Sequence, residues 1–145
     1  MNSSVSADLL HWIPYRLKES VPDSHLEWLY TGTQSYDRPF FDETISRSKS
    51  LPENSRLKKV VSSPEILAEW SGSFEAIPPS AIIFHVSRCG STLLSQLLAL
   101  DPANIALSEV PLFDEILRQG FRNDAMEQAG TVLEYAIQFY GRKRF

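Results

Sequence analysis

The chain divides into three stretches by the texture of its hydrophobic and polar positions. From Leu9 to Leu17 apolar and aromatic residues crowd together, and Pro14 interrupts any helix there. Leu26-Glu27-Trp28-Leu29-Tyr30 predicts a short strand or a helix turn, closed by Thr31-Gly32-Thr33. Arg38 to Ile45 reads as a loop feeding a short helix. Trp12, Tyr15, Trp28, Tyr30, Tyr36, Phe40 and Phe41 predict a small aromatic core, since such rings dominate burial energetics. A role for them in recognising a substrate is the alternative.

The second stretch, Lys49 to Ser80, is rich in Ser, Pro and charge. Within it Ser63-Pro64-Glu65 predicts a helix start, with Ser63 as N-cap and Pro64 at the first helical position. Ser71-Gly72-Ser73 ends that helix, and Pro78-Pro79-Ser80 is a stiff entry to the third stretch. The pattern sets a boundary there, with an N-terminal α+β segment and linker over 1–80 and a second unit over 81–145.

The third stretch opens on a short apolar run, Ala81 to Val86, as expected of a buried parallel strand. Ser87 to Gly90 is a loop, and Ser91 to Leu100 a helix with Leu93, Leu94, Leu97 and Leu98 on one face. Asp101-Pro102-Ala103-Asn104 breaks it, and Ile105-Ala106-Leu107 is a candidate second strand. A helix is predicted from Pro111 to Arg118, stopped by Gly120. Another runs from Ala125 to Tyr140, weakened by Gly130. No internal repeat or low-complexity tract is present.

Composition adds bounds. With 145 residues, 43% hydrophobic and 22% charged, the chain suits one ordinary globular core. A formal net charge of -4 argues against a dominant nucleic-acid surface. The single cysteine, Cys89, forms no internal disulfide, and no Cys/His cluster points to zinc. The first residues lack the basic and apolar regions of a secretory signal, and no apolar run nears the roughly 20 residues of a membrane span. A cytoplasmic setting without membrane contact is the expectation.

The candidate chemistry lies where the apolar run turns into the Leu-rich helix. The first N–H groups of such a helix have no internal partner and sit at its positive end, so an anion there gathers several hydrogen bonds. Gly90 allows close approach, Ser91 and Thr92 add hydroxyls, and Arg88 adds a charged fork suited to phosphate or sulfonate oxygens. A nucleoside-triphosphatase loop, G-x-x-x-x-G-K-[ST], fits poorly. Aligned at Gly90, it finds His85 in place of the first glycine and Ser91 in place of the lysine. G-x-G-x-x-G is absent. The C-x5-R loop of cysteine phosphatases fails too, because Ser95 stands where arginine is required.

Ser87-Arg88-Cys89-Gly90-Ser91-Thr92-Leu93-Leu94 resembles the 5′-phosphosulfate loop of sulfotransferases that use 3′-phosphoadenosine 5′-phosphosulfate (PAPS), and the similarity runs from about Ala81 to Leu117. The resemblance implies an α/β, P-loop-type three-layer fold with a parallel sheet. It implies that Ser87, Arg88, Cys89 through its backbone, Gly90, Ser91 and Thr92 bind the donor, without a metal. A glutamate after the first helix serves as base in related sulfotransferases, and Ser108-Glu109 looks like that position, with a solvated loop carboxylate as the alternative. The acceptor is a hydroxyl or amine of unspecified class. The family's 3′-phosphate site, an arginine and a serine on later elements, has no counterpart after Tyr140. The resemblance therefore implies an incomplete sheet and a truncated or split protein, whose open sheet edge invites association. Three simpler readings stay open: an ordinary helix N-terminus with an exposed arginine, Cys89 as a small loop filler, and His85 as a packing residue rather than a catalytic one. A non-catalytic phosphate-binding remnant is the functional alternative, and a P-loop kinase relative with a degenerate loop is the weakest.

Overall fold

The computed structural model describes residues 9–19, 24–55 and 59–142. The start of the N-terminal segment, residues 1–8, and the tail, 143–145, lie outside the described residues.

Three strands form an antiparallel sheet in the order β1-β2-β3: β1 (Trp12–Lys18), β2 (His25–Tyr30) and β3 (Val60–Ser62). Pro14 excludes a helix, as its ring requires, yet it stands inside a strand. The register shifts between Pro14 and Arg16, and β1 is an edge strand, which are the two settings that tolerate a missing N–H. β2 is the central strand, with Leu26, Trp28 and Leu29 buried. Asn54, in the single turn of 3-10 helix Pro52–Asn54, serves the chain end of β2 like a further strand. Its amide accepts from Tyr30 N–H at 2.8 Å and donates to Tyr30 O and Ser48 O, each at 2.7 Å.

Among the described residues, five helices accompany the sheet: α1 (Phe41–Ser48), α2 (Ile66–Ser71), α3 (Ser91–Ala99), α4 (Pro111–Arg122) and α5 (Met126–Tyr140). The fold is mixed α/β. α2 begins after a turn at Pro64-Glu65, and Ser63 bonds the Glu65 side chain rather than capping a helical amide. The core is aromatic, as the sequence suggested: Trp28 meets Phe139 edge-on at 5.3 Å and Trp70 at 5.5 Å. Tyr140 sits between Phe41 and Phe113, at 5.4 and 5.0 Å. These residues come from both sides of position 80, so the sheet, α1, α2, α4 and α5 share one interior.

Two ties, from the end of α5 and from Arg142 just beyond it, hold β1. Tyr140 O–H donates to Pro14 O at 2.5 Å. Arg142, 1% exposed, donates from Nε to Phe139 O at 3.0 Å and from its two terminal nitrogens to Leu9 O and Trp12 O. Its guanidinium also stacks on Phe74, 4.9 Å from the ring centre. Burial pulls its pKa down to about 10. From α4, Glu115 accepts the Leu17 N–H at 2.6 Å and so covers part of the β1 edge.

Four expectations are corrected. Ala81–Val86 is not a strand, and neither is Ile105–Leu107. No parallel sheet exists among the described residues. The physical reason is a lack of neighbours: a lone apolar run has nothing to exchange ladder hydrogen bonds with, and the sheet that does form belongs to the N-terminal half. Gly120 does not end its helix. α4 continues to Arg122, and buried Gly120 lets α5 approach at Ala129.

Candidate functional site

The loop of interest begins with a run that has no backbone bond. Among the described residues, neither edge of Ala81–Val86 meets a backbone partner. Its side chains are open on both sides: Ile82 is 70% exposed, Phe84 91% and Val86 74%. The chain then turns at Ser87-Arg88 and bends through Cys89-Gly90 into α3.

Two left-handed residues shape that turn. Gly90 has φ 88°, where a Cβ would be strained. Arg88 has φ 60°, a conformation that costs an ordinary residue roughly 1–2 kcal/mol. The turn leaves the start of α3 bare. Among the described residues, the N–H groups of 88–93 meet no backbone acceptor, and no side chain caps the helix. The first bond is Leu94 N–H to Gly90 O, at 3.2 Å. These are the donors an anion would use.

An open concavity of about 560 Å³ lies against this turn. Cys89, Gly90 and Ser91 line it, together with His85 and the apolar side chains of Phe84 and Leu94. Ser87, Arg88 and Thr92 are not among its walls. Arg88 and Ser87 are exposed, and Thr92 is half-buried. The sequence-predicted binding set is thus divided: three members face the concavity and three stand beside it.

Glu109 comes near His85. The segment carrying it is pinned at both neighbours, because Ser108 O accepts the Phe41 N–H at 3.1 Å and Val110 is buried ahead of α4. Between these anchors Glu109 adopts φ 51°, the left-handed region again. Strain of this kind in a non-glycine residue gathers at functional sites. Its Oε1 stands 3.8 Å from His85 Nε2, with the glutamate side chain 54% exposed and the imidazole 31%. Glu109 is not in the concavity wall, whereas His85 is. The sequence alone favoured His85 as a packing residue over a catalytic one. No spacing rule links it to Glu109, since the pairing depends on where α1 and α4 fix the 108–110 segment.

The remaining surface of the unit is apolar. Leu93, Leu94, Leu97, Leu98 and Leu100 are all exposed, so the face predicted to be buried covers nothing here. Among the described residues no three His, Cys, Asp or Glu side chains gather into a metal-binding group. No helix of the described residues is long and apolar enough to cross a membrane. The chain matches no protein-family model, no curated protein and no solved structure.

Proposed function

We propose that residues 81–109 form the donor-side half of a sulfotransferase-like site, gripping the 5′-phosphosulfate end of PAPS. The observation that carries this reading is the run of N–H groups from 88 to 93, without acceptors and wrapped around the left-handed Gly90. In this reading the amides and the Ser91 and Thr92 hydroxyls hold the phosphosulfate oxygens. Arg88 adds charge from beside the concavity. A hydroxyl or amine acceptor attacks sulfur in line with the departing phosphate, and its proton is drawn off on the Glu109 side. Positioning and charge stabilisation supply most of the rate enhancement.

The fold reading that goes with it is P-loop-type and three-layered. Ala81–Val86 is then a central strand waiting for parallel neighbours, and α3 one of the helices that cover such a sheet. The free backbone edges and the exposure of Ile82, Phe84 and Val86 on one side and Ile83 on the other support this, because only a strand flanked on both edges and both faces is apolar all round. Further polypeptide supplies those neighbours, and the open edge is where it associates. The proposed setting is cytoplasmic, where the lone exposed Cys89 stays reduced.

A second reading, a module that grips phosphate without transfer chemistry, is favoured by one observation: Arg88 and Thr92 are not among the concavity walls. Calorimetry with adenosine 3′,5′-bisphosphate tests the first reading, with inorganic phosphate as a comparison. The nucleotide should bind more tightly than phosphate, and Arg88→Ala should weaken it about tenfold, the scale of one charge-assisted contact. Equal binding of nucleotide and phosphate favours the second reading. Failure of the nucleotide to bind refutes the donor site.

A further inference from the structure

Residues 78–106 leave the core at one pin and return to it at another. Ala76 pairs with Arg142, and the Ile77 N–H donates to Gly141 O at 2.8 Å. Gly141 allows that approach, since a Cβ there would lie 2.5 Å from Ile77 O. At the far end Leu107 packs against the core, Ser108 O accepts the Phe41 N–H at 3.1 Å, and Val110 is buried. Between the pins no described residue is buried. We propose that residues 78–106 form a separate folding unit, which opens while the core stays closed and which an anion at the Gly90 turn orders. The first half stands on burial and hydrogen bonding alone, and the second rests on the anion-binding reading above.

The bonds inside the unit are local. Leu94 N–H reaches Gly90 O at 3.2 Å, Ser95 Oγ donates to Thr92 O at 2.9 Å, and Asn104 Nδ2 donates to Leu98 O at 3.0 Å. Across its boundary His85 meets Glu109 at 3.8 Å with both residues exposed, and such pairs contribute little. α3 has nine residues, buries none of them and has no side-chain cap. Helices shorter than roughly 12–15 residues are marginal without packing. The left-handed Arg88 adds strain to the ordered form. Opening the unit therefore gives up few contacts and leaves the interior of Trp28, Phe41 and Phe139 intact. Regions with few buried contacts open far more readily than the whole molecule.

An anion shifts this balance because it binds the ordered turn and not the open chain. The N–H groups of 88–93 converge only while Gly90 keeps its left-handed bend and α3 is helical. The affinity that is measured is then the intrinsic one reduced by the ordered fraction. Whatever helps α3 form tightens binding without touching the anion. By the same linkage, further polypeptide flanking Ala81–Val86 would tighten anion binding on assembly.

Hydrogen exchange of the full chain, read by mass spectrometry in urea below the global midpoint, tests the separate opening. Amides 94–100 should exchange at least about a hundredfold faster than amides 133–139 inside α5. Equal protection of the two helices overturns the separate opening. Gln96→Gly lowers helix propensity at an exposed position of α3. Trp12, Trp28 and Trp70 are the chain's tryptophans and all lie outside the unit, so their fluorescence reports the core. The urea midpoint by fluorescence should be the same in Gln96→Gly as in the parent, and a lower midpoint overturns the separate opening. Calorimetry with inorganic phosphate and with adenosine 3′,5′-bisphosphate tests the coupling. An anion that binds should slow exchange at 94–100, and Gln96→Gly should weaken it about threefold, the propensity difference between Gln and Gly. Equal binding by parent and variant overturns the coupling and leaves the donor reading standing. Binding of neither anion overturns the donor reading and the coupling together, whereas the separate opening is decided by exchange alone.

Discussion

The same substitution at two glycines should have opposite effects on stability. At Gly120 an added Cβ would lie closer than 3.0 Å to the Ala129 Cβ, and 3.3 Å from Ala125 O. The first separation is one that packed side chains do not adopt, and neither partner is the far end of a flexible chain. α4 and α5 must then move apart, and overpacking of this sort costs about 1–3 kcal/mol. Against it stands a gain of about 1 kcal/mol from replacing glycine inside a helix. Gly120→Ala should therefore lose up to about 2 kcal/mol. Gly130 lies inside α5, exposed, with nothing within 4 Å of its would-be Cβ. Gly130→Ala should gain about 1 kcal/mol. Urea denaturation followed by far-ultraviolet circular dichroism measures both, and the midpoints should move in opposite directions without a change in slope. Ala129→Gly in the Gly120→Ala background removes the clash and should recover part of the loss, which a double-mutant cycle isolates. Gly120→Ala at or above the parent's stability, with no coupling to Ala129, would refute the close helix crossing.

Asn54→Ala removes one acceptor and two donors that complete Tyr30 and Ser48, and should cost about 2 kcal/mol in the same denaturation assay. Tyrosine ionisation, followed by absorbance, should show Tyr15 and Tyr140 as late groups. Burial, together with the hydrogen bond and charge of Glu27, pushes Tyr15 up to about 12, and burial drives Tyr140 well above its usual value. Both groups favour the protonated, folded form. Their contribution is complete below pH 10, and that of Tyr15 is lost as the pH climbs from 10 through 12. Tyr15→Phe should flatten the alkaline end of the stability curve, and an unchanged curve would count against the Glu27 contact.

Two local signals in the sequence were legible. The leucines of 93–98 and the break at Asp101-Pro102 marked α3, although its leucine face is exposed, and the aromatic density marked the core that Trp28, Phe41 and Phe139 build. Pro14 correctly excluded a helix, but it argues equally for a loop, an edge strand or a bulge. Only pairing with β2 decides among them. Gly120 carried the same ambiguity, since a helix stop and a helix crossing use the same residue for the same lack of a side chain. Arg142 could not be foreseen, because its acceptors are three backbone carbonyls that leave no mark in composition. Gly90 and its hydroxyl neighbours were visible as a group, whereas the His85–Glu109 pair depends on tertiary placement alone.

Arg142 also has a bearing on how the chain is made. Its guanidinium closes on carbonyls 130 and 133 positions earlier, and the Tyr140 hydroxyl reaches back 126. During translation at about 5–20 residues per second, the first strand leaves the ribosome on the order of ten seconds before its clamp exists. Over that interval the opening hairpin lacks the cover that α4 and α5 later provide. Chaperones that hold nascent chains have their longest opportunity then, and substitutions that slow the final helix should reduce yield more than they reduce the stability of the finished molecule.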